Sequence, residues 1–219
     1  MHNIDKKNLK KLLFKENKKI KILDVGCGIG DNLELIKSWG FINVYGTDIA
    51  PEMVEVCNLK NLNVVLDQDL LEDNFDLILF SHVIEHIKYP DIIKFFEHYF
   101  SKTKKNGKII IITPCLYNGF YNDIDHIKPY YPKGLLNCFS EKKMSRSYFS
   151  KFNLQLLDIY FRKEVIVAFD IRSGYINKLP NKLIVKFRRM ALKLINIILF
   201  GAISKTTGYA AIFSLSHVD

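Results

Sequence analysis

The sequence predicts a doubly wound α/β fold, with helices on both faces of a parallel sheet, and three observations carry that expectation. Short apolar runs of strand character alternate with stretches of helical spacing between residues 20 and 113. The first run ends abruptly in a glycine turn, Gly26-Cys27-Gly28-Ile29-Gly30. Gly26, Gly28, Asp48, Asp69, Ser81 and His82 all fall at the C-terminal ends of predicted strands, the edge at which such sheets bind ligands.

In chain order, residues 1–19 are rich in lysine and place Leu9, Leu12, Leu13 and Phe14 at helical spacing, an amphipathic lead-in helix. Ile20, Ile22, Leu23 and Val25 form a buried strand, and a helix follows from Asp31 to about Trp39, closed by Gly40. Asn43–Asp48 is the second strand, and Pro51 opens the next helix. Val64–Leu66 is a short third strand, Asn74–Phe80 a fourth, and Pro90 starts another helix. Asn106-Gly107 turns into a fifth strand, Lys108–Thr113, which Pro114 stops. From Cys115 to Ser140 regular periodicity is lost, and a loop that long in a compact domain is usually functional. A short helix at Tyr148–Phe152, a sixth strand from Leu154 and a last apolar run at Tyr209–Leu215 complete one domain, 1–219.

The glycine spacing discriminates among ligands. A dinucleotide fingerprint needs a further glycine where Asp31 stands, and no Gly-Lys-Ser/Thr follows, so a triphosphate loop is excluded. Asp24 puts a carboxylate just before the glycines, which repels a pyrophosphate and welcomes a cation. Asp48, 18 positions beyond Gly30, is placed to accept hydrogen bonds from ribose hydroxyls.

Asp24-Val25-Gly26-Cys27-Gly28-Ile29-Gly30 resembles motif I of the class I S-adenosylmethionine-dependent methyltransferases. Phe75-Asp76-Leu77-Ile78 is similar to a second hallmark of that family, and Val83-Ile84-Glu85-His86 to a segment of its small-molecule members. The resemblance implies a mostly parallel, seven-stranded Rossmann-like sheet whose last strand lies antiparallel beside the fifth. It implies S-adenosyl-L-methionine as cofactor, held by Asp24, Gly26, Cys27, Gly28 and Gly30, with Asp48 on the ribose. Ile49 and Met53 then lie in the adenine loop, Asp69 on the adenine amino group with the Leu70 backbone beside it, and Ser81 and His82 in the pocket wall.

A hydroxyl acceptor needs a base, and on the correct edge the candidates are His82, His86 and His126. His126 is chosen because Asp123-Ile124-Asp125-His126 sets carboxylates beside it and the stretch resembles the acceptor-shaping loop of small-molecule O-methyltransferases. Its competitor role is a loop histidine bonded to backbone. His86, Lys128, Tyr130 and Arg146 are the acceptor contacts expected. At helical spacing His82 and His86 would share a face and could pair on a metal, but a pocket wall is the reading adopted and no metal is expected.

Charge is uneven. Residues 1–141 hold 18 Lys/Arg against 19 Asp/Glu, whereas 142–193 hold 13 against 3. Residues 163–207 therefore read as a basic helical insertion or cap, and 182–200 as a basic amphipathic helix that packs on the core, joins a homodimer, covers the acceptor pocket, or lies on a membrane surface. Four scattered cysteines and an N-terminus without an apolar leader fit reduced thiols and a cytoplasmic enzyme. The expectation is methyl transfer to oxygen on a small, anionic or sugar-like acceptor, phosphorylated or glycosyl. A lipid or quinone acceptor is the first rival. A nucleic acid is disfavoured because no Asn/Asp-Pro-Pro-Tyr segment follows the fourth strand, and a non-catalytic cofactor-binding scaffold is the last rival.

Overall fold

A computed structural model of the chain describes residues 2–69, 73–139, 150–165, 190–191, 194–195, 198 and 204–217. Leu70, Arg146 and most of 182–200 lie outside the described residues, as do the central residues of the basic insertion.

Helix α1 (Asn3–Leu13) leads into β1 (Lys21–Val25), then α2 (Asp31–Ser38), β2 (Asn43–Asp48), α3 (Pro51–Leu59) and β3 (Asn63–Leu66). The second half runs β4 (Phe75–Ser81), α4 (Asp91–Ser101), β5 (Thr103–Pro114), α5 (Pro132–Cys138), β6 (Phe152–Val165) and β7 (Ser204–His217). The seven strands form one sheet in the order β3-β2-β1-β4-β5-β7-β6. β1 to β5 pair in parallel, and β7 is antiparallel to both β5 and β6. The chain reverses direction across the sheet between β1 and β4, which opens a crevice at the carboxyl ends of those two strands.

Both faces of the sheet are covered, which explains the continuous apolar runs. Along β5, Ile109 and Ile111 join Phe80, Phe96, Phe100 and Phe139 under α4 and α5. Ile110 and Ile112 point the other way, to Leu9, Leu33, Ile36 and Cys57 of α1, α2 and α3. Each fully buried leucine or phenylalanine contributes about 1.5–3 kcal/mol.

Four expectations are corrected. β5 starts five residues early, because Thr103 pairs with Phe75 before the chain bulges out and Lys108 resumes opposite Leu77. The stretch 115–140 is not wholly irregular, since Pro132 at a helix start nucleates α5. Residues 150–152 are not helical: the Ser150 hydroxyl accepts the Phe152 N–H at 3.1 Å and Phe152 opens β6. The ends of the expected insertion are strand, with Val165 paired to Ser204, so the excursion shortens to 166–203.

Candidate functional site

The turn after β1 is shaped by backbone. The amides of Gly26 and Cys27 both donate to the Thr47 carbonyl, at 2.8 and 3.1 Å, tying the turn to the end of β2. Gly26 has φ +66°, and a Cβ there would stand 2.6 Å from Val83 Cγ2. Gly28 has φ +54° and open space where a Cβ would point. At the first position only glycine avoids a clash. At the second it keeps a cradle clear for a ligand.

Asp48 closes the turn. Its carboxylate accepts the Gly28 N–H at 2.8 Å and the Ala50 N–H at 3.0 Å, so one acid orients both the glycine turn and the start of α3. Asp24 lies deeper, fully buried, with no cation beside it and only the Asn32 amide as a hydrogen-bonding neighbour. Burial pushes its pKa up to about 7; the nearby Asn32 amide opposes that rise and the Asp48 charge adds to it. A buried acid without a cation, behind an open glycine cradle, fits a cationic ligand.

The glycine turn opens on a cleft of about 1060 Å³, with Asp24 and Asp48 behind its lining. Gly26, Cys27, Gly28 and Asn32 line one side, Ser81 and His82 the floor, Tyr117, Asn122 and His126 the other side. His126 is set by the loop after β5. Its Nδ1 lies 2.6 Å from the Phe120 carbonyl, its Nε2 3.6 Å from Asp123 Oδ2, and its ring packs on Phe120. In the neutral ring that arrangement puts the proton on Nδ1 and leaves a lone pair on Nε2.

His82 is not in a helix. Its φ is +58°, and only a single 3₁₀ turn, Ile84–His86, follows it. His82 and His86 therefore do not share a helical face. His82 instead sits between two acids, Nε2 at 3.3 Å from Asp5 and Nδ1 at 3.2 Å from Glu85. Burial disfavours its charged form, but the hydrogen bonds and charges of Asp5 and Glu85 prevail and raise its pKa to about 9. Asp5 also pairs with the Arg162 guanidinium, which donates to the Thr207 hydroxyl at 3.1 Å and carbonyl at 3.0 Å. Glu85 accepts the Thr113 hydroxyl at 3.0 Å. A buried chain of alternating charge, Arg162–Asp5–His82–Glu85, thus crosses the floor and locks α1 to β6.

The other expected residues are dispersed. Ile49 and Met53 stand exposed at the start of α3, and Asp69 is exposed after β3. Tyr130 is corrected from acceptor contact to core: it is buried and its hydroxyl donates to the Ile87 carbonyl at 2.7 Å. Lys128 is exposed over the Tyr130 ring, outside the cleft lining. His86 packs behind His126, ring centroids 5.0 Å apart, with Nδ1 3.1 Å from the Asp125 carbonyl. Glu85, His86 and His126 each bring one ligand-type atom within 4.8 Å of the others, but Glu85 is already engaged by Thr113 and His82.

Sequence reasoning missed Asp5, Asn32, Tyr117, Asn122 and Arg162. One signal was present: Asp5 shares a helical face with Leu9 and Leu12, and a carboxylate on a buried face requires a cationic partner. Arg162, inside a basic run, offered none.

Strand order, glycine turn and the acid closing β2 together define a class I methyltransferase fold with its cofactor crevice. The chain matches the family described as "Methyltransferase domain" (Methyltransf_23) over residues 3–159, and it belongs to that family. It is 28% identical over 108 residues to a phosphoethanolamine N-methyltransferase of Plasmodium falciparum, a match covering 45% of this chain and 41% of that protein. A Haemophilus influenzae protein is 27% identical over 151 residues, covering 60% of this chain and 58% of the other. The chain thus spans about half the length of the curated relatives it matches. In three dimensions it is similar to a SAM-dependent methyltransferase from Archaeoglobus fulgidus, with TM-score 0.59, 23% identity and coverage of 96% and 93% of the two chains. It is similar also to a magnesium protoporphyrin IX methyltransferase from Synechocystis solved with bound SAM, with TM-score 0.55, 12% identity and coverage of 96% and 78%. No helix among the described residues is long and apolar enough to cross a membrane.

Proposed function

We propose that this methyltransferase acts on an oxygen of a small, anionic or sugar-like acceptor, with His126 as the base. The observation that carries the reading is the seating of His126: Nδ1 is held by the Phe120 carbonyl at 2.6 Å, in a ring that lines the same cleft as Gly26 and Gly28. When bound, S-adenosylmethionine supplies a methyl group on a cationic sulfur that departs as a neutral thioether. Asp48 and the Gly28 cradle would hold and orient it, and the buried Asp24 behind the glycine turn would favour its positive charge. His126 Nε2 takes the acceptor's hydroxyl proton as the oxygen attacks, and Asp123 stabilises the imidazolium that results. Most of the acceleration is positional, because the leaving group is excellent.

The test separates binding from chemistry. His126→Ala is expected to lower turnover by about 10²–10⁴-fold while S-adenosylhomocysteine binds unchanged by calorimetry. Turnover at the wild-type rate removes His126 as base. A second reading, N-methylation of an amine carried on a phosphoester, is favoured by the phosphoethanolamine N-methyltransferase relative. Mass spectrometry of the product from a panel of alcohols and phosphoamines decides between oxygen and nitrogen.

A further inference from the structure

We infer that a second cavity, at the opposite edge of the sheet from the cofactor crevice, binds a small amphiphilic carboxylate, an aliphatic body with one anionic head. The cavity measures about 320 Å³, at the lower end of the range that holds small ligands, roughly 300–1,000 Å³. It is lined by Lys10, Leu13 and Phe14 of α1 and its end, by Lys18 of the turn that follows, and by Trp39 and Phe41 just beyond α2. That turn is fastened to the start of β2, where the Ile42 N–H donates to the Lys18 carbonyl at 3.2 Å and the Asn43 side-chain amide to the Lys19 carbonyl at 2.8 Å. The glycine turn follows the far end of β1. The five residues of that strand, about 16 Å, therefore separate the two sites, which share no lining residue. The inference does not rest on the methyl-transfer reading.

The walls select the ligand's body and the lysines its head. Leu13 and Phe41 are buried, Trp39 packs half-buried on the same core, and Phe14 is 78% exposed, an aromatic ring left in water. Lys18 Nζ lies 3.8 Å from the Phe41 ring centroid and Lys10 Nζ 5.7 Å from that of Trp39, so each ammonium faces an aromatic wall. No acid lines the cavity. The acids of α1, its following turn and α2 are engaged elsewhere: Asp5 by Arg162, Glu16 by Lys108 at 2.6 Å, Glu34 by Lys60 at 3.2 Å, while Asp31 stands at the cofactor cleft. Neither Lys10 nor Lys18 meets a carboxylate among the described residues. Two cations over an apolar floor, without a counter-ion, call for an anion joined to a hydrocarbon. A neutral hydrocarbon would leave the ammoniums unmatched, and a cationic one would be repelled. A bilayer presents a plane, and the buried Leu13 and Phe41 lie in a recess that it does not enter. Phe41, 2% exposed, offers no open face on which a nucleobase could stack.

The chain's one tryptophan is Trp39, so its emission reports on this cavity. Titrating the full chain with decanoate, below its micellar concentration, should change that emission along a one-site saturation curve. Acetate, which lacks the body, should leave it unchanged. Decyltrimethylammonium, with the same chain length and a cationic head, should bind about tenfold more weakly or worse. Lys10→Gln/Lys18→Gln should weaken decanoate binding by about tenfold or more, while S-adenosylhomocysteine binds in calorimetry as it does to wild type. The absence of a saturable response to decanoate overturns the inference. So does equal affinity for the two head groups, or decanoate binding that the lysine pair leaves untouched. Loss of S-adenosylhomocysteine binding by the wild-type chain would strike the methyl-transfer reading instead, leaving the decanoate result to stand by itself.

Discussion

His82 makes the stability of this protein depend on pH in a predictable direction. Its imidazole is wedged between Asp5 and Glu85, and its pKa rises from 6.5 to about 9. A group whose folded pKa lies above its unfolded value binds its proton more tightly in the native state. The stabilisation is therefore complete below pH 6.5 and is lost as pH climbs through 9. A shift of that size corresponds to about 3 kcal/mol, and the side chain is only 29% exposed, so solvent screening removes little of it. Urea unfolding at pH 6, 7.5 and 9.5 measures the effect. Wild type should lose about 3 kcal/mol across that range beyond what His82→Gln loses. Taking the difference matters, because Cys27, Cys57, Cys115 and Cys138 have raised pKa values and Asp24 titrates at about 7, and these change the slope in both proteins alike. Parallel curves for wild type and variant would refute the account of the floor.

Other consequences can be checked with simple variants. Asp48→Ala removes the charge-assisted bonds to Gly28 and Ala50 that set the glycine turn, and should weaken S-adenosylhomocysteine binding by about 10–100-fold in calorimetry, a loss of about 1.5–3 kcal/mol. Asp24 ionises at about pH 7 in the protein and at 3.8 when free, so the fold bears a cost that grows between those values, while a cationic ligand favours the ionised form. Affinity for S-adenosylmethionine should therefore rise from pH 6 to pH 8 in wild type and stay flat in Asp24→Asn. Gly26→Ala meets Val83 and should lower Tm sharply, whereas Gly28→Ala meets nothing, costs about 1–2 kcal/mol of left-handed strain and abolishes cofactor binding in a folded protein. Equal thermal losses for the two glycines would contradict the cradle.

What could be read from the sequence was what is local or repeats. Strand and helix order followed from short apolar runs and the glycine and proline residues between them, and β2 fell on its expected bounds because Gly40 and Pro51 flank it. The glycine turn and Asp48 were legible because backbone geometry at such a turn admits few residue types. The residues that escaped act across long separations. Arg162 meets Asp5 over 157 positions, and Lys108 meets Glu16 over 92; the apolar face around Asp5 calls for a cation, but nothing local says which one. His82 was placed at the sheet edge by its position after the fourth strand, but its acidic partners were not legible, because a left-handed backbone turns the ring towards α1 and Asp5. Tyr130 was misjudged because an aromatic residue in a polar loop resembles a ligand contact until the loop is seen folding under β4 and α4.

The alternating charges of the floor also set the field that a cationic ligand in the cleft would meet. Asp5 answers Arg162 and Glu85 answers His82, so the chain presents almost no net charge to the cleft above it. Asp24, behind the glycine turn, is then the buried acid left without a cation among the described residues near the cleft. Were Asp5 replaced by Asn, two buried cations would face one acid, and breaking such a pair costs about 3–5 kcal/mol. Asp5→Asn should accordingly loosen α1 from β6, seen as faster amide exchange in both elements, and weaken S-adenosylmethionine more than neutral S-adenosylhomocysteine. Equal loss for the two ligands would mean that the floor acts on shape alone and not on charge.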